Sequence, residues 1–467
     1  MPSRLEFDLN PRPRVTPRHN TPMRLLVMGN FSGQPSADKL PLASRPTLRV
    51  DADTLDTVMR QLAPRAAWPE GEHRFTSIDD LHPDALFANL RSFEDLRQAR
   101  QSPPLAAAQA PTVTQARDSN PTSGADLLAG LLGGRPPAAR PEAVQTPAVG
   151  MEAFIRHIVA PHIVASSAPD HAQWQAAADA AIAARMRTLL HDAAFKSLEA
   201  AWRGLHWLVS NLELDEQLQL HVFDVGREEL LADVVAAQGR LAQTGLHQAL
   251  ADRWQRTPDA SGWSACVALF AFGPSDADIG LAAALGLIAA QAGGPLLAGG
   301  DTALATAEPQ ALMGWQALRR SEAAPWLGMV APRLLLRLPY GRRGDPIGAF
   351  AFEEFPGGTP DHEHLLWGTG SLAAALLIGR AFSARGWAFE PGDEREIGDL
   401  PAYSFERDGE SELQPCAEHA LGEQAGQALL DAGLMPLLSH RHRNAATLLR
   451  FQSIALPAQP LAGLRAG

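Results

Sequence analysis

The stretch from His191 to Asp233 constrains the fold most, because its hydrophobic period changes from helix to strand and back to helix. The first apolar stripe recurs at helical spacing: Phe195, Leu198, Trp202, Leu205, Leu208, Val209 and Leu212. Asp192 precedes this stripe, where a carboxylate can accept backbone N–H groups of the first turn. Apolar and polar residues then alternate over 217–222, which predicts a half-buried strand. Glu228 and Glu229 follow, as is typical of a helix N-terminus, so the stretch predicts a helix–strand–helix unit of an α/β domain.

Length and charge limit the class of protein. The chain has 467 residues, enough for two to four domains, and a net charge of −12, which argues against nucleic acid as the main partner. Cys266 and Cys416 are its two cysteines, too few for a disulfide framework and typical of a reducing cytoplasm. Residues 1–20 lack the apolar core of a signal peptide, and 279–300 are too rich in Ala and Gly for a membrane span. We therefore expect a soluble cytoplasmic protein without membrane insertion.

The N-terminal hundred residues predict a compact set of elements. An extended arm over 1–21 precedes MRLLVMGNFSG (23–33), an apolar run ended by Gly29 and Gly33 that reads as a strand and turn. Residues 50–53 lead into a helix with Leu55, Val58, Met59 and Leu62 on one face, and His82-Pro83-Asp84 places proline at the start of a second helix.

Two motifs in this part resemble the small sheath subunit of type VI secretion, the TssB/VipA family. They are MRLLVMGNFSG, with Asn30 in place of the usual acid, and FTSIDDLHPD. The positions that match are Gly29, Phe31, Ser32, Gly33, Phe75, Ser77, Asp79, Asp80, Pro83 and Asp84. This resemblance covers most of 20–100.

Nearly all of 151–453 resembles the large sheath subunit, the TssC/VipB family. The match begins with FKSLEAAWRGLHWLV and DVGREELLAD and continues to AGLMPLLSHRHRNAATLLRFQS. Residues 102–150 are rich in Ala, Pro and Gly and predict a flexible linker, with 126–134 as a possible docking helix. We therefore expect a small-subunit-like module over 1–101, this linker, and a large-subunit-like module over 151–467.

The expected fold class is α/β, with mixed sheets flanked by helices as in sheath subunits, and a small N-terminal α/β module packed on a larger one. Residues 263–300 predict a β–α–β unit with parallel strands. Residues 152–164 and a helix from Gln173 lead into the large module. Compared with the family, we expect the large module to be truncated at its C-terminus, where the family carries helices and strands that interlock neighbouring subunits.

The resemblance implies a structural component of a contractile sheath that assembles around an inner tube. The implied partners are sheath subunits, inner-tube protein, a baseplate and an AAA+ unfoldase that uses ATP itself. Because of the expected truncation, the alternative function is that of an accessory protein that caps or regulates the sheath or baseplate without polymerising.

Catalytic patterns are weak. His362 and His364 form an HxH pair without a third metal ligand, and His440 and His442 alternate with arginines. Nucleotide-loop and hydrolase motifs are absent from the sequence. We therefore expect no enzyme, cofactor or metal, and keep a metal-dependent hydrolase using His362 and His364 as a remote alternative.

Charged and aromatic residues supply the candidate assembly positions. Arg333 and Arg337 have spacing that suits pairing with Glu353-Glu354 or with Asp79-Asp80 across an interface. For these charged residues, the alternative is ordinary surface charge or an intramolecular pair. For Trp202, the alternative is a core position on the helix that follows Asp192. The candidates are Asp79, Asp80, Trp202, Arg203, Arg333, Arg337, Glu353 and Glu354.

Overall fold

A computed structural model describes residues 7–8, 21–69, 71–101, 171–252 and 262–464. Apart from residues 7–8 and 21, the predicted arm over 1–21 lies outside the described residues, as do the linker over 102–150 with its 126–134 helix and the 152–164 segment. The chain divides into two compact units, Met1–Arg91 with Arg185–Gly467, and Ser92–Ala184.

The first unit is built on a sheet of nine strands in the described residues, in the order β11-β15-β14-β8-β7-β6-β1-β5-β2. Three small two-stranded pairs, β3-β4, β9-β10 and β12-β13, accompany it. The strands are β1 Met23–Gly29, β2 Leu48–Val50, β3 Arg65–Trp68, β4 Gly71–Arg74, β5 Leu218–Asp224, β6 Ala265–Phe272, β7 Leu296–Gly300, β8 Leu327–Ala331, β9 Leu334–Leu335, β10 Trp367–Gly368, β11 Glu396–Ile397, β12 Tyr403–Arg407, β13 Glu410–Gln414, β14 Met435–Ser439 and β15 Ala446–Leu448.

The central strands of this sheet are parallel, and the outer ones are antiparallel. Strands β5, β1, β6, β7, β8 and β14 run in one direction. Strand β2 closes one edge antiparallel to β5, and β15 and β11 close the other. The predicted β–α–β unit over 263–300 is confirmed, because β6 and β7 pair in parallel.

Strand β1 is a central strand of the sheet rather than an edge strand. Met23–Gly29 pairs along its whole length with Leu218–Asp224 on one side, and its centre pairs with β6 on the other. Its residues are almost all buried because both faces of a central parallel strand are covered by helices. The N-terminal part of the chain therefore completes a sheet formed mainly by residues beyond 217.

The structure contains the helices predicted after residue 53, at residue 83 and from 173, 193, 227 and 276, together with others that were not predicted. They are α1 Leu55–Leu62, α2 Pro83–Asn89, α3 Glu94–Gln101, α4 His171–Leu190, α5 Ala193–Asn211, α6 Arg227–Ala236, α7 Gly245–His247, α8 Asp276–Ala292, α9 Ala303–Thr306, α10 Met313–Arg319, α11 Ser371–Arg385 and α12 Glu423–Asp431. Asp192 caps α5 by accepting the Phe195 N–H at 2.9 Å, which confirms the predicted start of that helix.

Helix α8 shows how small residues allow close packing on the sheet. Most of its residues are buried, and a Cβ at Gly286 would come within 2.9 Å of the Leu327 side chain on β8. Ser275 caps its N-terminus, and Gly293, with φ of 119°, ends it in a left-handed conformation that glycine adopts without strain.

The second unit contains α3 and the greater part of α4. Trp174 donates its indole N–H to the Ala99 carbonyl at 2.7 Å, and Arg100 pairs with Asp179 at 2.6 Å. Trp174 packs with Ala99 and Ala177 in a small apolar cluster. Residues that precede the predicted linker therefore contact residues that follow it within this unit.

The predicted fold class is confirmed: a large mixed sheet is flanked by helices in an α/β arrangement. Among the helices of the described residues, none has an apolar stretch long enough to cross a bilayer.

Candidate functional site

The candidate site is the junction between residues 21–91 and the residues that follow 185, all within the first unit. We call this region the junction. The turn after β1 provides its first contacts. Trp202 of α5 is fully buried and donates its indole N–H to the Phe31 carbonyl at 2.7 Å. The Phe31 and Trp202 rings meet edge to face with centroids 5.3 Å apart, a favourable aromatic geometry. Trp202 therefore holds the turn of the first motif against α5.

A buried carboxylate at the end of β5 organises the same turn. Asp224 accepts hydrogen bonds from the Ser32 N–H at 2.9 Å and the Ser32 hydroxyl at 2.7 Å. The Lys39 ammonium lies 3.1 Å from this carboxylate and donates to the Asn30 side chain at 2.8 Å. Asn30, which stands where the family has an acid, thus accepts a hydrogen bond from a buried lysine.

Helix α6 contributes a second ion pair. Arg45 lies in the turn before β2, and its guanidinium contacts Glu229 at 2.7 Å while also donating to the Asp224 carbonyl. Both side chains are nearly buried. Neither Lys39 nor Arg45 belongs to a recognisable motif, and the carboxylates with which they pair lie more than 180 positions away, so sequence reasoning missed them.

The second N-terminal motif binds the 340–355 segment. Asp84 at the start of α2 accepts the backbone N–H groups of Gly348 at 3.0 Å and Ala349 at 2.9 Å. The His82 and Tyr340 rings meet edge to face at 5.2 Å. Both motifs that carry the small-subunit resemblance therefore make intramolecular contacts with the large-subunit-like part.

Charged groups beside this contact form a buried cluster of Glu199, Arg203, Arg337, Tyr340 and Glu354, which we call the buried ion cluster. Arg337 pairs with Glu199 at 2.8 Å and with Glu354 at 2.8 Å, and these three side chains are at most 7% exposed. Arg203 donates to Glu199 at 2.6 Å and to the Tyr340 hydroxyl at 2.6 Å. These contacts link α5 to the segment after β9 and to residues 353–354.

The ionisation of the cluster follows from these contacts. Burial alone would raise the pKa of Glu354, but the Arg337 charge, the nearby His191 imidazole and hydrogen bonds from Arg337 and the Tyr340 N–H lower this pKa to about 2. Burial likewise opposes charge on Arg337, yet Glu199 and Glu354 hold its pKa well above the usual value. Glu354 and Arg337 are therefore both charged at neutral pH.

The remaining predicted positions have different surroundings. Arg333 pairs with Glu418, its Nε lying 2.9 Å from Oε2. Asp80 accepts hydrogen bonds from Thr76 and Ser77; burial opposes its ionisation, but these bonds lower its pKa. Glu353 is half-buried and accepts the Arg342 N–H at 3.2 Å. Asp79 is exposed.

The structure thus brings Arg337, Glu354 and Arg203 into one cluster, with Glu199 as the partner that the sequence analysis missed. The spacing of Glu199 and Arg203, four positions apart on a helix, is the pattern that could have revealed it. Trp202, Arg337 and Glu354 are buried within the chain, so their contacts in the structure are intramolecular. A role of the eight candidate residues in contacts between subunits stays a prediction.

The two histidines of the HxH pair point to different neighbours. His364 stacks on His191 with ring centroids 4.0 Å apart, whereas the Nε2 atom of His362 lies 3.4 Å from Glu418. The pair therefore does not converge on one point. Chemically, the junction provides packing, hydrogen bonds and buried ion pairs, which are the means of holding elements together.

Comparison with known families agrees with this arrangement of two parts. Residues 173–455 match the family model described as EvpB/VC_A0108, tail sheath N-terminal domain. Residues 10–109 match the model described as type VI secretion system, VipA, VC_A0107 or Hcp2. The first match covers more than half of the chain, so this chain belongs to the VipB family of type VI secretion tail sheath proteins and also carries a VipA-type N-terminal part.

A particular relative is the type VI secretion system sheath protein TssC1 of Pseudomonas aeruginosa. The chain is similar to it, with 31% identity over an alignment of 307 residues, and the match covers 61% of this chain and 61% of the relative. The matched region thus spans under two thirds of that protein. The predicted resemblance to small and large sheath subunits within one chain is confirmed.

Proposed function

We propose that this chain is a building block of a type VI contractile sheath, in which the small-subunit and large-subunit roles are fused. It assembles around an inner tube and takes part in contraction. The observation that carries the proposal is the position of β1: a strand from the VipA-like part lies between β5 and β6 of the VipB-like part, so the two parts complete one sheet.

The buried contacts of the junction support a structural role. A subunit that transmits force must keep its parts together while its outer surfaces slide, and buried ion pairs with satisfied hydrogen bonds resist separation because breaking one leaves an unpaired charge. Exposed ion pairs contribute only about 0–1 kcal/mol and are easily exchanged, which suits surfaces that change partners. In this proposal the chain has no catalytic role.

The proposed partners follow from the family. Sheath subunits, of this chain or of separate small and large types, are the direct neighbours. Inner-tube protein, a baseplate and an AAA+ unfoldase complete the proposed machinery, which places the chain in the cytoplasm. In this scheme ATP is used by the unfoldase.

The test is electron microscopy of the purified chain, alone and mixed with inner-tube protein. We expect tubes with a regular helical lattice. Asp79 is exposed and lies in the second VipA-like motif, so Asp79→Lys is expected to shorten or abolish these tubes without loss of folding.

Asp53→Lys is the matched control, because Asp53 is also an exposed acid but lies outside both motifs. Tubes formed by the wild type and by Asp53→Lys, but not by Asp79→Lys, would support the proposal. Discrete particles that never form tubes, even with inner-tube protein or authentic sheath subunits, would contradict polymerisation and favour the capping or regulatory accessory.

A further inference from the structure

The short strands β9 and β10 bring His362 beside two further potential metal ligands, Glu418 and His419. Strand β9 pairs with β10 on one side, and on the other side Leu334 of β9 bridges to Ala417. Trp367 of β10 donates its indole N–H to the His362 carbonyl at 2.9 Å. Glu418 is fixed next to β9 because its N–H donates to the Arg333 carbonyl at 2.9 Å. Residues 362 and 418–419 therefore lie on neighbouring backbone segments.

The side chains of His362, Glu418 and His419 converge. The Nε2 atom of His362 lies 3.4 Å from Glu418 Oε1, and the Nε2 atom of His419 lies 3.9 Å from the same oxygen. The three ligand atoms all lie within 4.8 Å of one another. In a tetrahedral zinc site with ligands at about 2.0–2.1 Å, donor atoms are separated by about 3.3 Å, so His362 and Glu418 already have this spacing and His419 must move closer.

The Nε2 atom of His362 gives independent support. It is buried, yet it has no hydrogen-bond partner among the described residues. A buried polar atom without a partner is costly and calls for a ligand or other explanation. A metal ion in contact with Glu418 Oε1 would satisfy this nitrogen directly.

Neighbouring side chains can orient the ligands. Glu363 Oε1 lies 3.5 Å from the Nδ1 atom of His362, within reach of the N–H opposite the ligating nitrogen, the position from which a carboxylate orients a metal-bound histidine. The Nε of Arg333 holds Oε2 of Glu418 at 2.9 Å, which turns Oε1 toward the histidines. Arg333 also contacts Oε1 through Nη2, so an ion would have to replace this one contact.

We propose that His362, Glu418 and His419 form a binding site for a divalent transition-metal ion, Zn²⁺ foremost, with water in the fourth position. Two imidazoles and a carboxylate form a ligand set that zinc commonly takes. The ion would join the 362–364 turn to the 417–419 segment. This differs from the hydrolase alternative of the sequence analysis, because His364 is directed to His191 and Glu418 and His419 are the missing ligands.

The experiment measures Zn²⁺ binding by the metal-stripped full chain at neutral pH, in competition with a chromophoric chelator. We expect one Zn²⁺ per chain, and an affinity at least about 10-fold lower in both His362→Ala and His419→Ala. Co²⁺ is the second probe: the intense visible absorption of four-coordinate Co²⁺ is expected in the wild type and lost in both variants.

His364→Ala is the matched control, because His364 lies in the same turn but outside the ligand set, and it is expected to bind Zn²⁺ like the wild type. Circular dichroism of the metal-free proteins establishes that the variants are folded. Failure of the wild type to bind one equivalent, or undiminished binding by either folded ligand variant, would overturn the proposal. None of these readouts depends on tube formation, so the test is independent of the sheath function.

Discussion

Arg337 lies between two buried carboxylates, so replacing this one side chain is expected to change the electrostatic energy of the folded protein strongly. Its guanidinium contacts Glu199 and Glu354, and the side chains of all three are at most 7% exposed. An ion pair of this kind adds little net stability compared with apolar residues, because desolvation offsets the attraction, but removing one partner is costly. The cluster therefore fixes the arrangement of α5 and the 337–354 segment more than it stabilises the whole fold.

Arg337→Ala is expected to lower the free energy of unfolding by about 3–5 kcal/mol, because Glu354 would remain buried without its arginine and Glu199 would keep only Arg203. Arg343→Ala is the control: Arg343 pairs with Glu406 at the surface, where both side chains are more than half exposed, and the expected change is about 0–1 kcal/mol. Chemical denaturation curves measure both values. Equal changes for the two variants would show that the buried cluster does not act as described.

Residue-level prediction from sequence succeeded where the partner is local. Asp192 was predicted as a helix cap, and it accepts the N–H of Phe195, three positions away. For Arg337, a pair with Glu353-Glu354 across an interface is the prediction and an intramolecular pair the alternative; the structure contains an intramolecular pair with Glu354. The partners of His362 are 56 and 57 positions away, and no sequence period links them, so the convergence of these side chains required the fold.

At the scale of elements, helix–sheet packing depends on small residues. Helix α8 has glycine at two positions with different surroundings: Gly280 has open space where a Cβ would be, whereas a Cβ at Gly286 would lie 2.9 Å from the Leu327 side chain of β8. The close approach of α8 to β8 therefore depends on Gly286 and not on Gly280.

Gly286→Ala is expected to destabilise the protein by about 1–3 kcal/mol, because Leu327 must move within a packed core. Gly280→Ala in the same helix is expected to be neutral or to stabilise by about 0.5–1 kcal/mol, because alanine restricts the unfolded chain and favours helix. Thermal unfolding of the two variants side by side measures the difference. Stabilisation by both substitutions would contradict the packing of α8 on β8.

Elements themselves were predictable because hydrophobic periods are local. The helix 193–211, strand β5, helix α6, and the parallel β6–α8–β7 unit all occur as expected. The order of strands was not predictable, since the partners of β1 residues lie 195 positions away on β5 and 240 positions away on β6. A small module packed on a larger one is the expectation from sequence; the structure adds that both contribute strands to one sheet.

At the scale of the whole molecule, we expect the shared sheet to hold the two parts together even without the covalent connection between them. Seven residues of β1 pair with β5, and the turns after β1 and before α2 are anchored by Trp202, Asp224 and the 348–349 backbone. The proposed domain limits, 1–101, 102–150 and 151–467, place the connection outside this sheet.

Cleavage of the connection is therefore the most direct test. A specific protease site inserted within 102–150 allows the purified, folded chain to be cut, and size-exclusion chromatography with native mass spectrometry then shows whether the two fragments remain together. We expect one complex containing both fragments at the elution volume of the uncut chain, separating only in denaturant. Release of the N-terminal fragment from a still-folded remainder under native conditions would contradict the shared sheet and the fused building block built on it.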